Sequence, residues 1–564
     1  MPACIPGQSI PAAACQPPEM LWPYSSYHHV NPVRSHATAR CSPIGQIPPD
    51  SLAPPDVRFC GFKGGKSAPC RGSGAAAPDA CRVGNPVPGQ EPRTRRRVAA
   101  PICYTTWLRP ASTRAPVKPH ELIRAWRGDK RFTAIAKRAG ELKKQGHDAT
   151  ALVAAITSEF GAPAAPTPLR DAPQPHTIFG DVGAGADIEQ SALDQLRMAL
   201  RLPVAVGGAL MPDAHVGYAL PIGGVFVAHR AVSPMMVGVD IGCRMHLTIL
   251  DIPPDELRAR RAELLKDLGE VTVFGVGGAR QRATDHELLD DDRWQATPRL
   301  RHLLVKAKEQ IGTSGGGNHF AELLEGELLP AANGSALPAT PQRFAALLTH
   351  SGSRGVGFAI ANGYSKIAAE ETARHADVPK MYEWLDIGGA AGQEYWHAME
   401  LAGDFARANH EVIHAAFLRR TRLGTLGVVQ NHHNFAWRDG DNVIHRKGAT
   451  PAGAGELGII PGSMATSTYI VAGQGNPASY ASAAHGAGRR FSRTHARNTI
   501  AQKTVQDLLR ERDVLVRGLS VDESPLAYKD IERVIDVQVA AGLITPVARL
   551  RPLAVIMAGE PGED

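Results

Sequence analysis

A change of pattern at Pro175 constrains the fold more than any other feature of this sequence. Beyond Pro175, apolar strand-like runs such as GGVFVAHR and RMHLTILDI alternate with helical patterns such as GQEYWHAMELAGDFARANHEVIHAAF. Glycine-rich loops separate these segments, and the sequence shows no regular βαβ period and no repeat of fixed length. The pattern predicts a mixed α/β body of the α+β class over residues 176–564, and it argues against a Rossmann dinucleotide-binding domain.

Residues 1–115 have a different composition. They are rich in Pro, Ala, Gly and Ser, lack helical or strand periodicity, and contain 13 Lys and Arg against 5 Asp and Glu. The rest of the chain contains 49 basic against 50 acidic residues, so the net charge of +7 belongs to this segment and does not identify a partner for the body. We interpret residues 1–115 as a disordered or mis-assigned N-terminal extension, with a nucleic-acid-binding arm or a targeting peptide as alternatives.

Residues 116–175 connect the two regions. The stretch 121–161 has apolar residues at three- and four-residue spacing among good helix formers, which predicts two short helices. The following sequence APAAPTPLRDAPQP predicts a proline-rich linker that ends at Pro175.

Cysteine usage bears on the cellular compartment. Seven of the eight cysteines lie in residues 1–115, and only Cys243 lies beyond them. A disulfide framework is therefore excluded for the body, and a reducing compartment is compatible with a single thiol. No apolar run reaches the roughly 18 residues of a membrane span, and no secretion signal begins the chain, so we expect a cytoplasmic protein without a membrane partner.

Several segments offer side chains that could bind a metal ion. VGVDIGCRM places Asp240 three residues before Cys243, and a carboxylate with a thiolate suits a borderline-soft cation such as Zn²⁺ or Mn²⁺. An acidic turn with a buried cysteine is the alternative. The other candidates are histidines beside apolar runs or in the glycine-rich stretch GTSGGGNHFAEL, namely His319, His350 and one of the pair His432 and His433. Five such ligands are enough for two adjacent metal ions, although each histidine alone could be structural.

A separate segment offers a nucleophile. In SAAHGAGRRFSR, His485 stands among small residues and is followed by three arginines. Small neighbours leave the imidazole accessible to a bulky partner, and arginine suits phosphate, so a histidine that attacks a nucleotide phosphorus would need both features. A glycine-rich turn with surface arginines is the alternative interpretation. HRKGATPA and PGSMATST add the glycines, hydroxyls and backbone N–H groups that hold phosphate.

These segments together resemble one family, the RtcB-type RNA ligases. The resemblance is carried, in this order, by MPDAHVGYALPIGG, VGVDIGC, GGGNHFAE, HSGSRGVG, NHHNFAW, HRKGA, PGSM, HGAGR and AYKD. It implies a body of central β-sheets flanked by helices. It also implies an enzyme that uses GTP and Mn²⁺, as two ions, to join RNA with a 3′-phosphate or 2′,3′-cyclic phosphate end to RNA with a 5′-hydroxyl end. The small protein archease activates some members of the family.

The resemblance also implies roles for individual residues. His485 would become guanylated during the reaction. Metal ligands are implied at Asp240, Cys243, His319, His350 and His433. Nucleotide contacts are implied at Asn318, Glu322, Ser463 and Tyr528.

The sequence departs from the family pattern at three positions. Met557 in RPLAVIM replaces a lysine that contacts the guanine nucleotide, Ala465 replaces a glycine, and His410 replaces an arginine. A thioether cannot replace an ammonium group, so these departures bear on guanylation more than on metal binding. They leave two alternatives to ligation: an RNA-end-binding protein that does not ligate, and a metal-dependent phosphoesterase that acts on cyclic phosphate ends.

Overall fold

The structure is a computed structural model of the chain. It describes residues 119–559, apart from 127, 184, 276, 281–283, 331–336 and 338–339. The interpretation of residues 1–115 therefore lies outside the described residues, and it stays a prediction.

The described residues form helices and strands in alternation, as the pattern beyond Pro175 predicts. The α-helices are α1 Pro119–Leu122, α2 Phe132–Lys144, α3 Ala149–Phe160, α4 Gln190–Ala199, α5 Pro234–Val237, α6 Pro254–Val271, α7 Pro298–Gln310, α8 Arg354–Thr372, α9 Ala390–Thr421, α10 Arg493–Thr499, α11 Gln502–Glu511 and α12 Ile531–Ala540. The strands are β1 His176–Ile178, β2 Ala205–His215, β3 Ile222–His229, β4 Ala231–Val232, β5 Arg244–Asp251, β6 Phe320–Leu328, β7 Arg343–Ser351, β8 Leu385–Asp386, β9 Gly424–His432, β10 Phe435–Asp439, β11 Asn442–Lys447, β12 Ala449–Pro451, β13 Leu457–Ile460, β14 Thr468–Gly473, β15 Ser482–Ala484, β16 Leu515–Arg517 and β17 Ile544–Met557.

Two larger sheets organise the body. One has five strands in the order β1-β2-β3-β11-β10. The other has eight strands, seven in the order β13-β14-β17-β6-β7-β5-β9, with β16 paired to β17. The mixed α/β class is therefore confirmed, and the sheets with flanking helices match the architecture that the family resemblance implies.

The eight-stranded sheet is curved. Its terminal strands β9 and β13 lie side by side, where the Asn431 amide donates to the Ile459 carbonyl at 3.3 Å and its oxygen accepts from the Ile459 N–H at 3.2 Å. Leu247, Ile249 and neighbouring apolar side chains fill the concave face. On the convex face, α6 packs against alternate residues such as Leu250 and Ala321, because side chains of a strand alternate between the two faces of its sheet.

The pairing of four adjacent strands positions the candidate site. Strands β6, β7, β5 and β9 are neighbours, and each adjacent pair is antiparallel. The start of β6 and β5 therefore meets the end of β7 and β9 at one edge of the sheet, with Phe320 and Met245 both opposite His350. Residues that begin β5 and β6 and residues that end β7 and β9 are brought together at this edge.

The predicted helices of residues 116–175 are present with one addition. The helices α2 and α3 correspond to the two expected helices and pack around a small apolar cluster that includes Ile135 and Ile156. The one-turn helix α1 precedes them, and Trp126 from a short 3₁₀ turn completes the cluster. Among the helices of the described residues, none offers a segment that could cross a bilayer.

Candidate functional site

A cavity of about 340 Å³ opens where the four strand ends meet. Its lining includes every candidate site residue that the sequence suggests: Asp240, Cys243, Asn318, His319, Glu322, His350, His433, Ser463, His485 and Tyr528. These residues come from seven sequence motifs spread over almost 300 positions, so the fold, and not local sequence, brings them together.

Three candidate metal ligands form a compact cluster on one side of the cavity. The Cys243 Sγ atom lies 3.1 Å from His350 Nε2 and 3.5 Å from His319 Nε2. A tetrahedral ion with a metal–sulfur bond of about 2.3 Å and a metal–nitrogen bond of about 2.1 Å would hold such atoms about 3.6 Å apart. All three side chains are buried. Their ligand atoms all lie within 4.8 Å of one another, so one cation could bind all three.

The two histidines of this cluster are oriented by the backbone. The Nδ1 atom of His319 donates to the Ser314 carbonyl at 2.9 Å, and the Nδ1 atom of His350 donates to the Asn318 carbonyl at 3.0 Å. Both Nε2 lone pairs consequently face Cys243, as metal-bound histidines commonly do. Burial also lowers the pKa of His350 to about 3, which keeps its imidazole neutral and able to bind a cation. These residues therefore fit a metal ion.

Asp240 and His433 extend the cluster on either side. The Asp240 Oδ2 atom lies 3.0 Å from His319 Nε2, and although burial opposes ionisation, this contact lowers the Asp240 pKa. The His433 ring lies 5.4 Å from the His350 ring, and its buried Nδ1 atom has no hydrogen-bond partner. An unpartnered nitrogen in a buried polar site is consistent with a ligand. Two ions remain a prediction, because the compact three-ligand group found among the described residues provides one site.

His485 lies between the metal cluster and the rest of the cavity. Its ring lies 4.8 Å from the His433 ring, and its Nδ1 atom donates to Asp213 Oδ2 at 2.7 Å. The same carboxylate oxygen accepts the His485 backbone N–H at 3.2 Å, and Asp213 is completely buried. Because Nδ1 is held by the carboxylate, Nε2 is the nitrogen that carries a free lone pair.

The glycines of HGAGR explain how His485 reaches Asp213. Gly488 has a φ of +75°, and a Cβ atom at this position would lie 2.0 Å from the Asp213 carbonyl oxygen. Only glycine allows both this left-handed conformation and this close approach. The loop that carries His485 can therefore pack directly on the strand that carries Asp213.

A second part of the cavity wall, formed by β6 and β17, carries Glu322 among apolar side chains. In the antiparallel pair β6–β17, Glu322 faces Val555 and Phe320 faces Met557, so all four side chains point to the same side of the sheet, into the cavity. Burial raises the pKa of Glu322 to about 8, against a hydrogen bond with Thr468 that lowers it. Met557 is 7% exposed. This wall therefore presents the buried carboxyl group of Glu322, and the neighbouring Met557 carries no positive charge.

Two departures from the family pattern pack together at this wall. Met557 and Ala465 belong to one apolar cluster, which also contains Met464 and Leu519. The third departure lies elsewhere: His410 is buried under β7 and donates from Nε2 to the Ser351 carbonyl at 3.1 Å. It does not line the cavity, so it supports the strand of the candidate metal ligand His350, whereas the sequence suggested an effect mainly on guanylation.

The remaining predicted nucleotide contacts are held by their own neighbours. Tyr528 donates to Glu523, and the Arg489 guanidinium lies over its ring at 5.2 Å from the centroid. The Ser463 N–H donates to Thr466 Oγ1 at 2.7 Å, which closes the PGSM turn. Asn318 is exposed at the cavity edge, directly before the ligand His319.

Sequence reasoning gave no role to two residues that shape the site. Asp213 was visible in MPDAHVGY, but only the folded chain shows that it holds His485 across 272 positions. Arg354 lies beside Gly315, whose φ is +92° and where a Cβ atom would overlap the guanidinium at 1.9 Å. The first glycine of GGGNHF is thus required to admit Arg354 next to the metal ligands, and a pairing of this glycine with an arginine cannot be read from spacing.

Comparison of the sequence with known proteins identifies a family. The model of the tRNA-splicing ligase RtcB family matches residues 195–299 and 292–558. RNA-splicing ligase RtcB2 of Escherichia coli is 32% identical over 405 residues, which cover 69% of this chain and 96% of that protein. The tRNA-splicing ligase RtcB of Archaeoglobus fulgidus is 28% identical over 65% of this chain and 91% of its own, and that of Thermococcus kodakarensis is 32% identical over 61% and 86%. The matched segments contain the whole lining of the cavity, and this chain therefore belongs to the tRNA-splicing ligase RtcB family.

Proposed function

We propose that this protein is an RNA ligase that joins RNA 3′-phosphate or 2′,3′-cyclic phosphate ends to 5′-hydroxyl ends, using GTP and Mn²⁺. One observation carries the proposal: His485, held by a buried carboxylate, shares a cavity with the Cys243, His319 and His350 cluster. A nucleophilic imidazole beside a cation site is what phosphoryl transfer through a histidine requires. Family membership supports the same assignment.

The proposed reaction begins at His485. Its Nε2 atom attacks the α-phosphorus of GTP, the new N–P bond forms, and the bond to the β-phosphate oxygen breaks, so that pyrophosphate leaves with the electron pair. Asp213 holds Nδ1–H and stabilises the positive charge that develops on the ring, which is the role of the carboxylate in a Ser-His-Asp triad. Asn318, Glu322, Ser463 and Tyr528 would position the nucleotide.

Two transfers complete the proposed reaction. An oxygen of the RNA 3′-phosphate attacks the guanylate phosphorus, which breaks the N–P bond and restores His485. The 5′-hydroxyl oxygen of the second RNA then attacks the 3′-phosphorus, loses its proton and displaces GMP. A 2′,3′-cyclic phosphate must first be opened by water to give a 3′-phosphate. Metal held by Asp240, Cys243, His319, His350 and His433 would neutralise phosphate charge in these steps.

Labelling with α-³²P-GTP and Mn²⁺ tests the proposal directly. A phosphorus–nitrogen bond is acid-labile, so we expect a protein-bound label that acid removes and that His485→Ala abolishes. RNA with a 3′-phosphate should then discharge the label and join to a 5′-hydroxyl partner. A label that persists in His485→Ala would refute the nucleophile assignment. Addition of archease provides a further arm, in which faster labelling would identify it as an activator.

The apolar wall at Met557 favours a second candidate, an RNA-end-binding protein or cyclic-phosphate phosphoesterase with impaired GTP use. Residue 557 lines the cavity as an uncharged methionine, so its side chain offers no positive charge to a bound nucleotide. Binding of 3′-phosphate RNA without any label on His485 would support the non-ligating binder. Hydrolysis of a 2′,3′-cyclic phosphate end to a 3′-phosphate end, without joining of the RNA, would support the phosphoesterase.

A further inference from the structure

A short loop at the cavity edge exposes two large apolar side chains. Residues 216–221 connect His215 to Ile222, and both of these residues line the cavity. Within the loop, Tyr218 is 65% exposed and Val216 is 50% exposed. A tyrosine ring exposed at the edge of this cavity is accessible to a bound molecule, and aromatic side chains of this kind are enriched at interfaces.

The loop is held firmly in spite of its exposure. The Gln195 side chain accepts the Gly217 N–H at 3.0 Å and donates to the Gly217 carbonyl at 2.6 Å. The buried Lys447 ammonium donates to the carbonyl oxygens of Tyr218 and Met235. These bonds fix the backbone on both sides of the Tyr218 ring, and they do not depend on the identity of that side chain.

The two ends of the loop lie at the cavity that contains His485. Lys447 directly precedes Gly448, and a Cβ atom at Gly448 would lie 3.2 Å from His485 Cε1. His215, at the start of the loop, has its Nδ1 atom 3.5 Å from the backbone nitrogen of Arg489. The loop that exposes Tyr218 therefore begins beside the segment that carries His485.

The arginine-rich segment that contacts the start of this loop indicates the class of molecule that the ring could bind. The segment after His485 carries a group of four arginines, which are partly balanced by Asp522 and Glu523. The four are Arg489, Arg490, Arg493 and Arg497. An excess of arginine suits a polyanion, and an exposed aromatic face suits an unpaired nucleobase. Two apolar side chains make too small a patch for a stable protein partner.

We propose that Tyr218 is a stacking platform for a nucleobase of single-stranded RNA whose end enters the cavity. This inference rests on the proposed ligase function and adds a site for the RNA strand. The clamps by Gln195 and Lys447 keep the ring in place before RNA arrives, so little ordering of the loop opposes binding.

Binding of a fluorescent RNA oligonucleotide with a 3′-phosphate, measured by anisotropy without GTP, tests the platform. We expect Tyr218→Ala to weaken binding by about tenfold to a hundredfold, the range for loss of one base–aromatic stack. Tyr218→Phe and Tyr218→Trp should bind like the original protein. Tyr218→Leu, which keeps an apolar side chain but no aromatic face, should resemble Tyr218→Ala. Phe358→Ala is the matched control, because Phe358 is 56% exposed on α8 and does not line the cavity.

Abasic oligonucleotides identify the stacked base. An abasic nucleotide at one of the last three positions should weaken binding to the original protein and leave binding to Tyr218→Ala unchanged. Label on His485 from GTP should be the same in all Tyr218 variants. Equal RNA affinity of Tyr218→Ala and the original protein, or equal affinity of the Leu and Phe variants, would overturn the platform alone. A protein that neither binds the oligonucleotide nor takes up the label would overturn both the platform and the proposed function.

Discussion

The two sides of the cavity are built differently. On the candidate metal side, Cys243, His319 and His350 lie at the ends of adjacent strands, and backbone carbonyl groups orient the two histidines. On the proposed nucleotide side, the buried carboxyl group of Glu322 lies in a wall that Met557 makes apolar. The metal side keeps every ligand that the family resemblance implies, and the nucleotide side contains two of the three departures.

This difference shows which kind of change the fold tolerates. A metal ligand acts through the position of one atom, and its position is tied to sheet register, so a substitution there loses the site. By contrast, the last side chain of β17 lies in an apolar environment that accepts side chains of different chemistry. Met557 occupies this position and belongs to the apolar cluster of Met464 and Ala465. Predictions that break or sharpen the contrast follow from it.

The largest effect is expected at Asp213, which holds the candidate nucleophile His485. Asp213→Asn should reduce the rate of guanylate label on His485 by about 10² to 10⁴, because an amide neither fixes the Nδ1–H tautomer nor stabilises a positive ring as a carboxylate does. Label formation at saturating GTP and Mn²⁺ measures this rate. RNA affinity should be unchanged, and a rate near that of the original protein would show that Asp213 only fills space.

The next effect concerns the metal side. Cys243→Ser should lower the bound metal measured by elemental analysis, because a hydroxyl is a much weaker ligand than a thiolate for borderline-soft ions. In the metal-free protein, burial raises the pKa of the Cys243 thiol, so binding of a cation must also release a proton. Metal affinity should consequently increase with pH in the original protein and much less in Cys243→Ser. Full metal content in the variant would refute the assignment.

Sequence reasoning reached the two sides unequally. The mixed α/β class could be predicted. The convergence of the candidate ligands could be predicted as well, since histidines beside apolar runs lie at strand ends and antiparallel neighbours bring such ends together. Asp213 could not be assigned, because its partner His485 lies 272 positions away and only the close approach at Gly488 joins them. The location of His410 behind β7 also required the fold, because a helical residue can face either the cavity or the sheet.

A third prediction tests the nucleotide side. Met557→Lys should increase His485 label at limiting GTP by about tenfold to a hundredfold, since a hydrogen bond from a charged group contributes about 1.5 to 3 kcal/mol. Metal content should stay unchanged, because residue 557 lies on β17, which β6 separates from the β7 strand of His350, and it is not a candidate ligand. Met557→Leu is the matched control and should behave like the original protein. GTP dependence that Met557→Lys leaves unaltered would mean that another group has taken over the contact.

The smallest effect links the two residues of that wall through pH. The folded-state pKa of Glu322 is raised by burial from 4.5 to about 8, so between these values the folded protein binds a proton that the unfolded chain has released. The free energy of unfolding of the metal-free protein should therefore decrease as pH rises from about 5 to about 8. Glu322→Gln should remove this part of the pH dependence, as measured by urea unfolding at several pH values.

Met557→Lys should flatten the same pH dependence by another route. Residues 322 and 557 are diagonal neighbours on one face of the β6–β17 pair, within reach of a lysine side chain. An ammonium group there would favour the ionised carboxylate and lower the Glu322 pKa, so less proton release would accompany unfolding. Met557→Leu should keep the original slope. If Met557→Lys also keeps that slope while Glu322→Gln removes it, the introduced lysine does not reach Glu322, and any gain in GTP use must come from direct contact with the nucleotide.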